Sequence, residues 1–231
     1  IYFNCLEKEL INPEELAIKL SDRHFSIGGD GIVMILPSDK GDFRMRMFNA
    51  DGSESEMCGN AVRCIGKYVY DKGLTKKNIV NLETKAGIKI LELRTKNNVV
   101  ESVRVNMGAP ILEPNNIPVN CPGDRAIKIP FTNYGLNLAM TCISMGNPHA
   151  VFFVDQITDE LVLGYGPKIE IDPLFPRKIN VEFAKIIDRQ TIQMRVWERG
   201  SGETLACGTG ASATAVAAIL NGLTDKKVTL Q

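Results

Sequence analysis

Residues 39–62 and 188–211 lie over one another without a gap, "DKGDFRMRMFNADGSESEMCGNAV" above "DRQTIQMRVWERGSGETLACGTGA", at the shift of 149 that carries Cys58 onto Cys207. Asp39 meets Asp188, Lys40 meets Arg189, Phe43 meets Ile192, Met45-Arg46 meets Met194-Arg195, and Phe48 meets Trp197. Glu54 meets Glu203, and Cys58-Gly59 meets Cys207-Gly208. The spacing is far too long for a solenoid, whose repeats reach about 50 residues, so the pattern points to one domain present twice. At 231 residues the chain has length for two small domains, each with its own core. The boundary is expected in the Pro-, Asn- and Gly-rich stretch 106–124, "NMGAPILEPNNIPVNCPGD", which gives halves 1–108 and 109–231 with one motif cysteine in each.

Both copies predict the same local structure. "FRMRMF" and "IQMRVW" alternate long apolar residues with arginine, as a half-buried strand does. A loop of glycine, serine and acidic residues follows, then a helix, 59–72 in the first copy and 208–221 in the second. Gly73 and Gly222 stand where a helix C-terminus takes a residue tolerant of positive φ. The second helix has no charge from Thr204 to Thr224 and should be enclosed on most sides. Around both helices run short apolar segments: "GIVMILP", "NIVNLET", "IKILELR", "AMTCISM" and "AVFFVD". The expected fold class is α+β, with two pseudo-symmetric domains that each wrap a mostly antiparallel sheet around a central helix. A further helix near the start would have Asn12 as cap, Pro13 in its first turn and "EELAIKL" as its body.

Composition excludes several function classes. Lys plus Arg (27) balances Asp plus Glu (27), so no nucleic-acid partner is expected. No apolar run reaches transmembrane length, and "IYFNCLEKEL" does not read as a signal peptide, so neither a membrane partner nor secretion is expected. The six cysteines contain no C-x-x-C pair and only His24 and His149 could add imidazole, which argues against a metal site. A disulfide framework is disfavoured at this size, and reduced cytoplasmic thiols are expected. The chain begins without methionine and stops in "KKVTLQ", which reads as a strand in mid-course, so both ends are read as truncated.

The first N–H groups of a helix lack partners within it, and its dipole places partial positive charge there. A thiol at that position ionises more readily than a free one, and the same N–H groups bind carboxylates. If the two copies face each other, an α-amino acid fits. Its carboxylate lies at the helix mouths, one thiolate removes the α-proton, and the opposing thiol delivers a proton from the other face. The stereocentre inverts and no cofactor is needed. A single cysteine ahead of a small-residue helix is ordinarily an apolar filler, but two in one register of a duplicated unit reverse that reading. Cys64 lies within the first helix without a counterpart, Cys5, Cys121 and Cys142 sit in strand-like stretches, and all four are taken as structural.

The motifs "FNADGSESEMCGNAVRC", "SMGNPHAVFFVD", "INVEF" and "WERGSGETLACGTGAS", supported by "DRHFSIGGDGI", resemble the diaminopimelate epimerase family, in that family's order and across almost the whole chain. The resemblance implies pyridoxal-independent interconversion of LL- and meso-diaminopimelate, with Cys58 and Cys207 as the acid–base pair. It implies that Gly59, Asn60, Gly208 and Thr209 hold the reacting carboxylate, and that Glu198 binds the reacting ammonium. Glu198 and His149 would poise the thiols, while Asn49, Asn147, Asn180 and Arg199 would read the distant amino-acid end. A homodimer in the cytoplasm, or in the plastid stroma of a plant, is implied as well. The family normally carries a Gly-x-Gly-Asn-Asp stretch before the equivalent of Ile1 and further strands after that of Gln231, and neither is in this sequence.

Three other readings compete. Proline racemases and hydroxyproline epimerases share the two-thiol logic, but they usually have histidine after the first Cys-Gly and aspartate where Glu198-Arg199 stands here. A pyridoxal phosphate or nucleotide site at "CGTGAS" would need a lysine that the motif lacks, and "SIGGDGIVM" leads into a strand rather than a helix. A thiol-redox protein would depend on cycling a Cys58–Cys207 disulfide, whereas acid–base catalysis needs both thiols reduced.

Overall fold

The structure, a computed structural model, describes residues 1–231. The chain divides into two compact units, Ile1–Gly108 and Ala109–Gln231.

In the first unit β1 (Tyr2–Asn4) is followed by α1 (Pro13–Ser21), β2 (Gly31–Leu36), β3 (Phe43–Asn49), β4 (Glu54–Ser55) and α2 (Gly59–Asp71). Three strands complete it: β5 (Ile79–Thr84), β6 (Gly87–Lys96) and β7 (Val99–Asn106). The sheet order is β1-β2-β3-β5-β6-β7, with β4 paired to β3. Only β1–β2 and β3–β5 are parallel. β2 is buried along its whole length because both of its faces are covered. Val33 and Ile35 join Met45, Met47, Leu82 and Leu91 under α2, while Ile32, Met34 and Leu36 pack with Phe48 and Ala17 of α1. The inward stripe of α2 is Ala61, Val62, Ile65 and Val69; on its outer side Lys67 and Asp71 pair at 2.7 Å.

The second unit contains β8 (Ile129–Phe131), β9 (Leu138–Ser144), β10 (Pro148–Phe153) and α3 (Gly166–Glu170), the last entered through a wide helical turn at Glu160–Tyr165. Then come β11 (Asn180–Asp188), β12 (Thr191–Glu198), β13 (Gly202–Thr204), α4 (Gly208–Leu220) and β14 (Thr229–Leu230). The order is β13-β12-β11-β10-β9-β8, with β14 parallel to β12 and β10 parallel to β11. On one face Phe131, Phe152 and Phe183 stack in series at 5.4 and 5.5 Å within a core that includes Val162 and Ile169. The other face carries α4.

Two sheet-dominated α+β units, each with a long helix on a mostly antiparallel sheet, are thus what the chain forms. The repeat also extends beyond the motif. The shift that carries Cys58 onto Cys207 carries α2 onto α4 end for end. It also carries the pair Ile32–Phe48 of β2–β3 onto the pair Val181–Trp197 of β11–β12. Gly73 and Gly222 close the two helices at φ +71° and +73°, and Leu74 N–H to Val69 O is matched by Leu223 N–H to Ala218 O, both 2.9 Å.

Some local expectations are corrected. Asn12 does not cap α1 with its side chain; its backbone is left-handed at φ 50°, and Pro13 supplies the preset first turn. α4 is buried on one side and half-buried on the other rather than enclosed on most sides, because the sheet of β9–β12 covers one of its faces. Of the cysteines taken as strand residues only Cys142 lies on one; Cys5 follows β1 and Cys121 sits in a loop. The glycine run before β2 does lead into a strand. A Cβ on Gly31 would stand 2.1 Å from Phe48 O, so glycine there serves strand pairing.

Candidate active site

Each cysteine motif places its thiol by the same local device. A strand ends, a tight turn returns the chain through a two- or three-residue strand, and an extended residue then opens a helix. Cys58 is the N-cap of α2 at φ −137°, ψ 118°, and Cys207 the N-cap of α4 at φ −126°, ψ 110°. Gly59 and Gly208 are the first helical residues. The matched Arg and Glu explain themselves here. Arg46 Nε to Glu54 Oε1 is 2.8 Å and Arg195 Nε to Glu203 Oε1 is 2.7 Å, so an equivalent ion pair pins the returning strand in both units. Glu9 and Asp159 add a second carboxylate to each arginine.

At the first mouth, Asn49 ends β3 and its Nδ2 donates to Ser53 Oγ at 3.1 Å, inside the turn. Asn60 Oδ1 accepts from Arg63 Nη2, and Gly59 O accepts from Arg63 Nε at 3.2 Å. Cys58 is half-buried against the α2 core, while Cys64 is exposed. Burial, then a hydrogen bond to Cys64 and the nearby Cys58, pushes the Tyr2 hydroxyl far up from its ordinary range.

The second mouth is more polar and more deeply buried. Cys207 is 7% exposed; its Sγ accepts the Gly210 N–H at 3.3 Å and lies 3.4 Å from Thr209 Oγ1. Burial pushes the thiol well above its ordinary value, and the carboxylates of Glu198 and Glu182 push it further. Glu198, at the end of β12, is itself raised, chiefly by burial, against the opposing bonds from Thr204 and Cys207. Its Oε1 accepts from Thr204 Oγ1.

Beneath Cys207 lies a row of buried polar groups. His149 has no exposed surface; its Nδ1 is 2.6 Å from Glu182 Oε1 and its Nε2 is 3.0 Å from Asn147 Oδ1. Asn147 Nδ2 in turn donates to Thr209 Oγ1 at 3.2 Å. Asn180 is also committed internally: Nδ2 donates to Pro148 O at 2.7 Å and Oδ1 accepts from Arg199 N at 2.9 Å. The Arg199 guanidinium donates to Arg177 O at 3.3 Å.

Within the second unit the fold therefore gathers His149, Asn147, Thr209, Glu198 and Cys207, and sets Asn180 against Arg199. Within the first it sets Asn49 and Asn60 beside Cys58. Two buried carboxylates beside these groups escaped the sequence reading. Glu182 sits inside the quoted "INVEF" and is fully buried; a lone acid in the apolar run "NVEFA" was the available signal. Glu170, buried in α3, accepts Trp197 Nε1 at 2.8 Å and Gly200 N–H at 3.0 Å, and so holds the turn that carries Glu198-Arg199. No local pattern pointed to it.

The family model described as diaminopimelate epimerase matches residues 2–113 and 141–231. Among curated relatives, the diaminopimelate epimerase of Acetivibrio thermocellus is 55% identical over 231 residues, all of this chain and 82% of that protein. That of Methanococcus maripaludis is 50% identical over 231 residues, again all of this chain and 83% of the relative. Among solved structures, a probable proline racemase from Agrobacterium radiobacter superposes with TM-score 0.73 at 17% identity, over 92% of this chain and 66% of that one. A hydroxyproline epimerase from Agrobacterium vitis gives 0.70 at 15% identity, also over 92% and 66%. At such identities these two speak for the fold alone. Half-identity along the full chain, together with the matched family model, settles the kinship: the chain belongs to the diaminopimelate epimerase family.

Proposed function

We propose that this chain epimerises LL-diaminopimelate to meso-diaminopimelate with Cys58 and Cys207 as its two proton-transfer groups and no cofactor. The observation that carries the reading is the matched pair of thiols, each the extended N-cap of a 13-residue helix that begins with glycine. In one direction the Cα–H bond breaks as its proton passes to one sulfur, and the other S–H returns a proton to the opposite face of Cα. The two sulfurs end the step with their protonation exchanged. Burial and the carboxylates of Glu198 and Glu182 favour the thiol form of Cys207, which suits it to donate a proton.

In this reading the N–H groups of Gly59, Asn60, Gly208 and Thr209 bind the reacting carboxylate and stabilise charge on the deprotonated Cα. Glu198 binds the reacting ammonium. Asn49, Asn147, Asn180 and Arg199 take the distant end; an amide has two N–H groups and two lone pairs, so Asn147 and Asn180 retain capacity beyond their internal bonds. Asn49 and Arg199 complete that end, the guanidinium matching the second carboxylate. The product class places the reaction in lysine and peptidoglycan-precursor synthesis. We assign it to the cytoplasm, or to plastid stroma in a plant, and to a homodimer; no helix is long and apolar enough to cross a membrane.

The test is α-proton exchange in deuterated buffer under reductant, with LL-diaminopimelate and L-proline in parallel. Exchange at diaminopimelate alone, abolished by Cys58→Ala or Cys207→Ala, is the expected result. Exchange at proline instead would move the assignment to the racemase reading.

A further inference from the structure

A carboxylate with no exposed surface is expensive to keep unless it is paired and fully hydrogen-bonded. Glu182 meets only half of that condition: Oε1 bonds His149, and Oε2 has no hydrogen-bond partner. Glycine at 210 makes room for it, since a Cβ there would stand 2.7 Å from Glu182 Oε1 and 3.2 Å from Cys207 Sγ. The same residue donates its N–H to that sulfur. The first unit has neither feature. At the repeat shift, Val33 occupies the place of Glu182 and Ala61 that of Gly210, and both belong to an apolar core. Ordinary packing beneath a helix mouth therefore does not require the acid.

We propose that Glu182 is a positioning residue for Cys207, acting through an unbroken hydrogen-bond chain. The chain runs from Glu182 Oε1 to His149 (2.6 Å), from His149 to Asn147 (3.0 Å), from Asn147 to Thr209 (3.2 Å) and from Thr209 to the sulfur (3.4 Å). Both ring nitrogens of His149 are occupied, so the ring transmits orientation rather than touching substrate. With Asn147 Nδ2 donating to Thr209 Oγ1, the threonine hydroxyl hydrogen is left for the sulfur. The charged and titratable groups facing Glu182 are His149 from β10, Glu198 from β12, Cys207 at the mouth of α4 and Cys142 from β9. The inference rests on the reading that Cys207 is a reacting group, but its test does not need turnover.

That test is the titration of each cysteine by 13Cβ NMR on the whole chain, with signals assigned by Cys58→Ser and Cys207→Ser. Glu182→Gln keeps the shape and removes the charge. It should lower the Cys207 midpoint by about one pH unit, roughly a tenfold gain in thiolate at fixed pH, and leave Cys58 unmoved. Thr209→Val cuts the last link and should move Cys207 the opposite way. An unmoved Cys207, or equal movement of Cys58, overturns the inference. If Glu182→Gln does not fold, Thr209→Val and Glu182→Val, which installs the first unit's residue, decide it by the same signals. If Cys207 shifts while the wild-type protein exchanges no α-proton, the inference stands and the epimerase reading falls. Exchange with an unmoved Cys207 gives the reverse.

Discussion

The two helix mouths share a backbone and differ in what surrounds the sulfur. Cys58 stands over an apolar core with Val33, Ala61 and Asn49 at the places where Cys207 has Glu182, Gly210 and Glu198. The duplicated part is the device that presents a thiol at a helix N-terminus, down to the Arg–Glu pair on the returning strand. The part that diverged is the electrostatic setting. Glu198 and Glu182 raise the proton affinity of Cys207, and at the repeat shift asparagine and valine stand in their places.

The largest test of this comparison removes each sulfur in turn. Cys58→Ala and Cys207→Ala should each reduce epimerisation by about 10²–10⁴-fold, measured as loss of exchange at Cα. A variant that kept near-full activity would remove its thiol from the pair. Next is the glycine that separates the two mouths. Gly210→Ala forces a Cβ to 2.7 Å from Glu182 Oε1 and should destabilise by about 1–3 kcal/mol in denaturant unfolding. Ala61→Gly, the reverse change in the first unit, should cost about 1 kcal/mol through helix propensity and about 0.8 kcal/mol more for the lost buried methyl, in equal measure with or without Glu182.

Alkaline stability sharpens the contrast further. A free thiol near 9.0 loses its proton in the unfolded chain as pH rises, whereas folded Cys207 keeps it, its affinity being raised. The folded state then binds more protons, so unfolding free energy falls above pH 9.0. Cys207→Ser should flatten that decline in urea melts between neutral and alkaline pH. Part of it should remain, because burial also raises Cys142. The smallest effect is expected where the units agree. Glu54→Gln and Glu203→Gln break half-exposed pairs and should each cost at most about 1 kcal/mol, by similar amounts. Unequal costs would show that the shared scaffold has diverged as well.

Much of this architecture was legible in the chain. The alternation in "FRMRMF" and "IQMRVW", the glycines at 73 and 222, and the small-residue helices behind Cys58 and Cys207 are local signals, and local backbone preferences obey them. β7 went unread because "VVESVRVN" is a half-exposed edge strand with weak apolar alternation. The turn into α3 escaped for a related reason: its wide helical hydrogen bonding breaks the ordinary period. His149 and Asn147 were identified as site residues, but their roles as inner links of one chain were not visible.

By itself, then, the sequence determined that the protein is two copies of one unit, that each copy presents a thiol at a helix mouth, and that the surrounding strands can cover that helix. These follow from periodicity and capping, which act over a few residues. Tertiary structure alone decided that Glu198 and Glu182 come to act on Cys207. Glu182 reaches His149 across 33 positions and Asn147 reaches Thr209 across 62, through the register of β10 beside β11 and the seating of α4 above them. A hydrogen bond between side chains on neighbouring strands depends on pairing register and on exclusion of water, and neither is written in the local pattern of either strand.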